Sequence, residues 1–407
     1  MPAHPESIVV VGAGQAGSTL VQTLRAEGHD GPVTLIGDEP DPPYQRPPLS
    51  KKYLLGELSA ERLHLKPEAF YREQDIRLVT GSAVRAIDRA ARTVSVEGAE
   101  IPYDALALTT GAIPRRLPAA VGGDLPGVHV IRTRAHVDAM APELAAAQRV
   151  LIVGGGYIGL EAAAVAAQLG RSVTLVELAP RILNRVACAG TAAFLRDLHR
   201  GHGVDIREGT GLERLEAGPY GRVAAALLAD GTRLETDLVI AGIGIVPDTR
   251  LAEAAGLELD NGIAVDGRCR SSDPTIFAAG DCASFPWAGG RIRLESVQNA
   301  IDQAAHAARA MLGAEAAYRP LPWFWSDQYE ARLQIAGLGT GADRIVERPG
   351  HREGGRSFWY FRGPVLLAVD AVSDPRAYMQ GKRWIEAGVS PDPEALADPS
   401  RELKGLA

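Results

Sequence analysis

Short apolar runs recur along the chain, and two of them open the same pattern. Ile8-Val9-Val10-Val11 leads into Gly12-Ala13-Gly14-Gln15-Ala16-Gly17, a helix-like stretch to Glu27, and a second run, Val33-Thr34-Leu35-Ile36, that ends at Asp38. Val150-Leu151-Ile152-Val153 leads into Gly154-Gly155-Gly156-Tyr157-Ile158-Gly159, an alanine-rich helix-like stretch to Leu169, and Val173-Thr174-Leu175-Val176 ending at Glu177. Each copy predicts strand, glycine turn, helix, strand and acid. The copies continue alike. In the first, β-branched stretches at 84–87 and 93–96 precede an apolar strand at 105–108 that ends at Thr109-Thr110-Gly111. In the second, stretches at 223–228 and 233–236 flank Asp230-Gly231, which predicts a tight hairpin, and a strand at 238–240 ends at Ala241-Gly242-Ile243-Gly244. So long a period excludes a solenoid and predicts two related nucleotide-binding domains. Residues 272–281 resume strand character and close on Gly280-Asp281; strand-like runs at 333–335, 357–361 and 365–369 then precede a helix at 375–387.

A length of 407 residues allows two to three domains. Hydrophobic residues at 46% and charged residues at 23% exclude wholesale disorder. Aromatics total only 22, yet ten of them fall from Trp323 onward, so the C-terminal part is expected to be built differently. The net charge of −7 offers no electrostatic footprint for nucleic acid. Cys188, Cys269 and Cys282 form no close pair, which argues against a disulfide framework, a zinc site or a local redox dithiol; no metal is expected. No run of 18 apolar residues exists and no leader precedes the first strand, so the expectation is a soluble cytoplasmic protein without a membrane partner.

Both glycine fingerprints stand in the context that binding a dinucleotide requires. The first glycine permits the turn, the second admits a pyrophosphate to the backbone, and the third lets helix and strand pack closely. The phosphates then meet unpaired N–H groups at the positive end of the helix. Asp38 and Glu177 follow their last glycines by 21 and 18 residues, suited to ribose hydroxyls. Glu177 would repel a 2′-phosphate and so favours NAD, a preference that Arg181 could soften. Two such sites imply two dinucleotides, a flavin and a nicotinamide. Three further segments admit two readings each. Asp281 suits a sugar-alcohol hydroxyl or is a turn aspartate bonding its own backbone. Within residues 44–51, Pro47 and Lys51 suit a flavin ring and its polar edge, or Ser50 caps a helix and Lys51 is solvated. The run Trp323-Phe324-Trp325 is a buried strand or the wall of a ligand or docking surface.

Taken together, the sequence resembles the NADH-dependent ferredoxin reductases of the putidaredoxin reductase type, which feed haem monooxygenases and ring-hydroxylating dioxygenases. The resemblance rests on the two glycine motifs, Arg46-Pro47-Pro48-Leu49-Ser50-Lys51, Glu161 after the second motif, Ala241-Gly242-Ile243-Gly244, Gly280-Asp281-Cys282, Glu295-Ser296-Val297-Gln298-Asn299-Ala300 and Trp323-Phe324-Trp325-Ser326-Asp327-Gln328. It implies an α/β fold of glutathione-reductase-like architecture with two Rossmann-like domains: an FAD domain at 1–113 and 245–320, an NAD domain at 114–244, and a C-terminal α/β domain at 321–407. It implies FAD contacts from Ala16, Asp38, Arg46, Lys51, Val84, Arg132, Asp281 and Val297 beside Gly12, Gly14 and Gly17. It implies NAD contacts from Gly154, Gly156, Ile158, Gly159, Glu177 and Gly242. Glu161 would partner Lys51, Pro47 would face the flavin, and Trp325 would lie nearest the flavin edge and a 2Fe-2S ferredoxin. Two alternatives stay open: a rubredoxin reductase, and an NADH-sensing flavoprotein of the apoptosis-inducing-factor type.

Overall fold

In the computed structural model, which describes residues 5–407, the duplicated pattern becomes two five-stranded parallel sheets. The first runs Ile276–Ala278, Ala105–Leu108, Ile8–Val11, Val33–Ile36, Ile76–Val79. The second runs Asp205–Glu208, Ser172–Glu177, Arg149–Val153, Leu238–Ala241, Val128–His129. All four residues of Ile8–Val11 and of Ala105–Leu108 are buried. That is why these runs are continuous rather than alternating: a parallel strand is covered on both faces. In each sheet the fingerprint strand lies between the strand that follows its helix and the strand that ends the repeat. Ile8 pairs with Val33 and Ala105, and Val150 with Val173 and Leu238. The glycine turn therefore leaves the sheet where strand order reverses, the place where open parallel sheets bind ligands.

The chain divides into two compact units. One contains the described residues up to Gln45 together with Ser59–Ile113 and Ile245–Pro320; the other contains Arg46–Leu58, Pro114–Gly244 and Leu321–Ala407. In the first, helix Gln15–Ala26 lies against helix Val297–Met311, and small residues Ala300, Ala304, Ala307 and Ala308 let the two approach. In the second, the hairpin at Asp230-Gly231 has three connecting residues rather than two. The Leu228 N–H and the Thr232 carbonyl close it, and Gly231 takes a φ of 84°.

The C-terminal segment forms an antiparallel sheet in the order Trp323–Gln328, Ala331–Gly337, Val365–Val372, Arg356–Arg362, Arg344–Pro349. Its aromatic surplus is mostly core. Trp359 and Phe361 face helix Pro375–Ala387, where Trp384 lies 5.6 Å from Trp359 between ring centroids. Asp374 caps that helix and Pro375 occupies its first position. The other face of the sheet meets helix Ala189–Gly201, where a Cβ on Gly190 would stand 2.3 Å from the Phe358 ring. Among the described residues no helix is long and apolar enough to cross a membrane.

One buried acid joins these two elements. Asp370 accepts hydrogen bonds from the Tyr360 hydroxyl and, at 2.7 Å, from the Thr191 hydroxyl, while the Cys188 N–H donates to the Tyr360 oxygen. Burial pushes the Asp370 carboxyl up to about 6 despite these donors. Because the folded state holds this proton longer than the unfolded chain, the group's contribution is full below about pH 4 and is lost as pH rises through about 6. Asp370→Asn should flatten the pH dependence of thermal stability across that window, by up to about 3 kcal/mol. Unchanged slopes in wild type and variant contradict this.

Candidate functional site

Both glycine turns divide their labour in the same way. Gly12 has a φ of 109°, and a Cβ on it would stand 2.2 Å from the Thr109 carbonyl oxygen; a Cβ on Gly17 would stand 2.0 Å from the Gly12 oxygen. In the second turn Gly154 has a φ of 106° with the Gly242 oxygen 2.5 Å from its would-be Cβ, and Gly159 meets the Gly154 oxygen at 2.0 Å. Backbone packing alone demands these four glycines. The middle ones are different. Around Gly14 no protein atom comes within 4 Å of a Cβ, and at Gly156 the nearest is the Gly242 oxygen at 4.0 Å. The protein itself therefore gives no reason for glycine at these two positions, whereas a backbone that a ligand must approach does.

The helix ends agree. Gly14 and Gly156 are the N-cap residues of helices Gln15–Ala26 and Tyr157–Gln168, and neither helix has a side-chain cap. Elsewhere Thr133, Ser296 and Asp374 cap their helices with side-chain oxygens. The two uncapped ends leave first-turn N–H groups for an anion. The residues present thus fit two dinucleotides.

Further predicted residues gather around these turns. Gly37, whose Cβ would stand 2.6 Å from that of Ala13, brings the second strand against the first turn, and Asp38 follows it, exposed. A Cβ on Gly280 would lie 3.1 Å from the Ala16 Cβ, so the Gly280-Asp281 loop sits beside the first helix start; the Gly280 N–H donates to Gln303. Val297 is the first residue of the helix that Ser296 caps, and Val84 packs on the core of the first unit from strand Val84–Asp88. In the second unit Glu177 accepts from the N–H groups of Gly155 (2.6 Å) and Ala179 (2.7 Å), Gly242 packs against Gly159, and Ile158 is exposed. Arg181 donates to the carbonyls of Ile182, Leu183, Asn184, Ala187 and Cys188 in its own loop. Five carbonyls hold its guanidinium, so it is committed to that loop.

The second unit also contains a buried charge pair. Lys51 Nζ lies 2.8 Å from Glu161 Oε1, with Glu161 only 3% exposed. Ser50 donates to Glu161 Oε2 at 2.6 Å, and Ser326 donates to Oε1 at 2.6 Å. Ser50 is therefore no helix cap, and Lys51 is no free surface charge. Pro47 opens the short 3-10 turn Pro47–Ser50 that aims both at the carboxylate, and Arg46, just before it, donates to the Arg132 carbonyl at 2.7 Å. Trp325 is not on this face. Strand alternation sets Trp323 and Trp325 on one side, ring centroids 5.6 Å apart, while Phe324, Ser326 and Gln328 point the other way and Phe324 meets Tyr157 at 4.5 Å. Sequence reasoning missed Ser326, Gln328 and His199. The alternation of residues 324, 326 and 328 was available as a signal for the first two.

Comparisons with known proteins place the chain among relatives that it matches over nearly its whole length. The profile of the family described as pyridine nucleotide-disulphide oxidoreductase matches residues 6–304, and that described as reductase C-terminal matches residues 323–407. The 5,5'-dehydrodivanillate O-demethylase ferredoxin reductase subunit of a Sphingobium species is 44% identical, covering 98% of this chain and 97% of its own length. Putidaredoxin reductase of Pseudomonas putida is 42% identical, covering 98% and 96%. A crystal structure of the covalent putidaredoxin reductase–putidaredoxin complex superposes with a TM-score of 0.94, at 42% identity and 98% coverage of both chains.

The division of labour in the turns predicts opposite outcomes for neighbouring glycines. Gly14→Ala should leave thermal stability unchanged and weaken dinucleotide binding by about tenfold or more, because the new methyl meets only the ligand. Gly17→Ala should lower the unfolding temperature itself. Thermal melts with cofactor titrations check both; destabilisation by Gly14→Ala comparable to that of Gly17→Ala would contradict the assignment.

Proposed function

Because the chain belongs to the pyridine nucleotide-disulphide oxidoreductase family, and within it to the ferredoxin reductases of the putidaredoxin reductase type, we infer that it carries electrons from NADH through FAD to a 2Fe-2S ferredoxin. That ferredoxin serves an oxygenase, a haem monooxygenase or a ring-hydroxylating dioxygenase. The observation that carries this reading is the pair of uncapped, glycine-opened helices in one chain, one for each dinucleotide.

We assign the first cradle to FAD. The free N–H groups that open at Gly14 would hold the pyrophosphate in the turn that Gly12 and Gly17 shape, Asp38 would take ribose hydroxyls, and Asp281 the ribityl chain. Ala16, Val84 and Val297 are assigned to the remainder of this cradle; Arg132 is kept as a further candidate contact, its carbonyl held by Arg46. The second cradle takes NADH through Gly154, Gly156, Ile158, Gly159 and Gly242, with Glu177 on its ribose. FAD held there would supply the hydride and one-electron chemistry that the side chains lack. The chain's own residues position and polarise. Pro47 supplies a rigid apolar wall. Lys51 presents an ammonium group where negative charge develops, and Glu161 keeps that ammonium in one place with a counter-charge that water does not screen. Trp325, half-buried on the edge strand of the C-terminal sheet, is assigned to the acceptor side.

No protein dithiol takes part: the three cysteines are all free, and Cys188 caps helix Ala189–Gly201. Burial pushes the Cys269 and Cys282 thiols up, away from the reactive thiolate, and residues 46–51 contain no cysteine. Electrons therefore leave by the partner rather than through a protein dithiol. The free thiols also support a cytoplasmic site of action.

Anaerobic titration of the flavin-loaded protein with NADH should bleach the flavin spectrum stoichiometrically, and added 2Fe-2S ferredoxin should restore it and sustain turnover. Turnover with rubredoxin alone would name a different acceptor. A long-lived reduced complex indifferent to either acceptor would favour a sensor instead. With Glu177 beside the ribose and Arg181 committed to its own loop, kcat/KM for NADH should exceed that for NADPH by about tenfold or more. Equal use of both would remove Glu177 from the ribose site.

A further inference from the structure

The carboxylate of Glu161 is the end of a longer hydrogen-bond chain. His199, fully buried on helix Ala189–Gly201, points its Nε2 at the Gln328 amide oxygen, 2.8 Å away. The Gln328 Nε2 donates to the Ser326 oxygen at 3.1 Å, and the Ser326 hydroxyl donates to Glu161 at 2.6 Å. All three side chains are buried: Ser326 is 1% exposed, Gln328 2% and His199 0%.

The direction of the chain follows from which atoms can donate. An amide oxygen only accepts, so His199 Nε2 carries the hydrogen; its Nδ1 is buried with no partner among the described residues, which keeps the ring in its neutral form. Desolvation acts in the same sense and pulls the His199 pKa down. With its oxygen occupied by His199, the Gln328 amide must offer its NH₂ to Ser326. Ser326, already accepting there, has its own hydrogen free for Glu161. Each bond polarises the next in the same direction, and donors aligned head to tail strengthen one another.

We propose that Ser326, Gln328 and His199 are positioning residues that hold the Glu161 carboxylate against Lys51 and thereby govern NADH-dependent reduction. None of the three touches Lys51. They act by favouring the negatively charged carboxylate in a place from which water is excluded, and by fixing which oxygen faces the ammonium group. The groups that face Glu161 are Lys51 and Ser50 from the turn at 47–51, Tyr157 from its own helix and Ser326 from strand Trp323–Gln328, with His199 and Asp370 as the next titratable neighbours. The Tyr157 hydroxyl is buried without a hydrogen-bond partner among the described residues, so the carboxylate takes its serine hydrogen bonds from Ser50 and Ser326. The inference rests on the reading of Lys51 and Glu161 given above.

The test is the pH profile of anaerobic flavin reduction by NADH, measured on flavin-loaded protein with a thermal melt as the structural control. Losing a hydrogen bond to a buried carboxylate favours its protonated form, so Ser326→Ala should move the acid limb of the rate upward by about one to two pH units. Ser326→Thr, which keeps the hydroxyl, should return the limb to its wild-type position. Gln328→Leu should move it in the same direction by less, and Ser326→Ala combined with Gln328→Leu should move it no further than Ser326→Ala alone. An unmoved limb in Ser326→Ala, or shifts that add in the double variant, overturns the chain. Glu161→Gln separates the two levels: if it leaves the reduction rate unchanged, the reading of the charge pair itself fails. If it slows reduction while the serine and glutamine variants behave as wild type, only the relay fails.

Discussion

A carboxylate that is 3% exposed must be given in protein what it loses in water, and the second unit is arranged around doing so for Glu161. Two stretches far apart in sequence supply its three donors. The 3-10 turn Pro47–Ser50 brings Ser50 and Lys51, and strand Trp323–Gln328 brings Ser326. Removing one member of a buried pair leaves the other uncompensated, at a cost of about 3–5 kcal/mol. The pair is therefore a constraint on the fold as much as a tool of the site. It obliges the C-terminal sheet to present a polar face, residues 326 and 328, toward helix Tyr157–Gln168, and it leaves the opposite face of that strand to Trp323 and Trp325.

The two cradles show a complementary economy. They offer a ligand backbone rather than side chains, so what each must supply is shape. Glycines at the ends of each turn are required by carbonyl oxygens about 2.0–2.5 Å from any Cβ; the middle glycines are required by nothing in the protein. Where the helices after Thr133, Ser296 and Asp374 spend a side-chain oxygen on their first N–H groups, these two spend none. The acids at the strand ends are assigned the sugars. Glu177 is held by two backbone N–H groups, so its position beside the turn is fixed before any ligand arrives.

Much of this was legible in the residues because the governing physics is local. A continuous apolar run before a glycine turn permits few structures, and the strands Ile8–Val11, Val33–Ile36 and Ala105–Leu108 stand where the pattern put them. Helix Pro375–Ala387 carried its own start signal in Asp374 and Pro375. Strand Arg344–Pro349 was missed because it is an edge strand with Arg344, Glu347 and Arg348 among six residues, a composition that reads as solvated loop. The hairpin at Asp230-Gly231 gained a residue because the sequence of a turn does not fix its length. In the site, the pairing of Lys51 with Glu161 came from the family resemblance, since nothing in their separation of 110 positions announces it. His199 had no sequence signal at all: its role exists only because helix Ala189–Gly201 packs on the C-terminal sheet.

The central claim is that Lys51 and Glu161 act as one unit. A double-mutant cycle on the rate of anaerobic flavin reduction by NADH tests it directly, with Lys51→Met, Glu161→Gln and the two combined. If the pair acts as a unit, each single change slows reduction and the combined variant is no slower than the slower single one, because the partner is already useless once the other is lost. Effects that multiply independently in the combined variant would contradict the account.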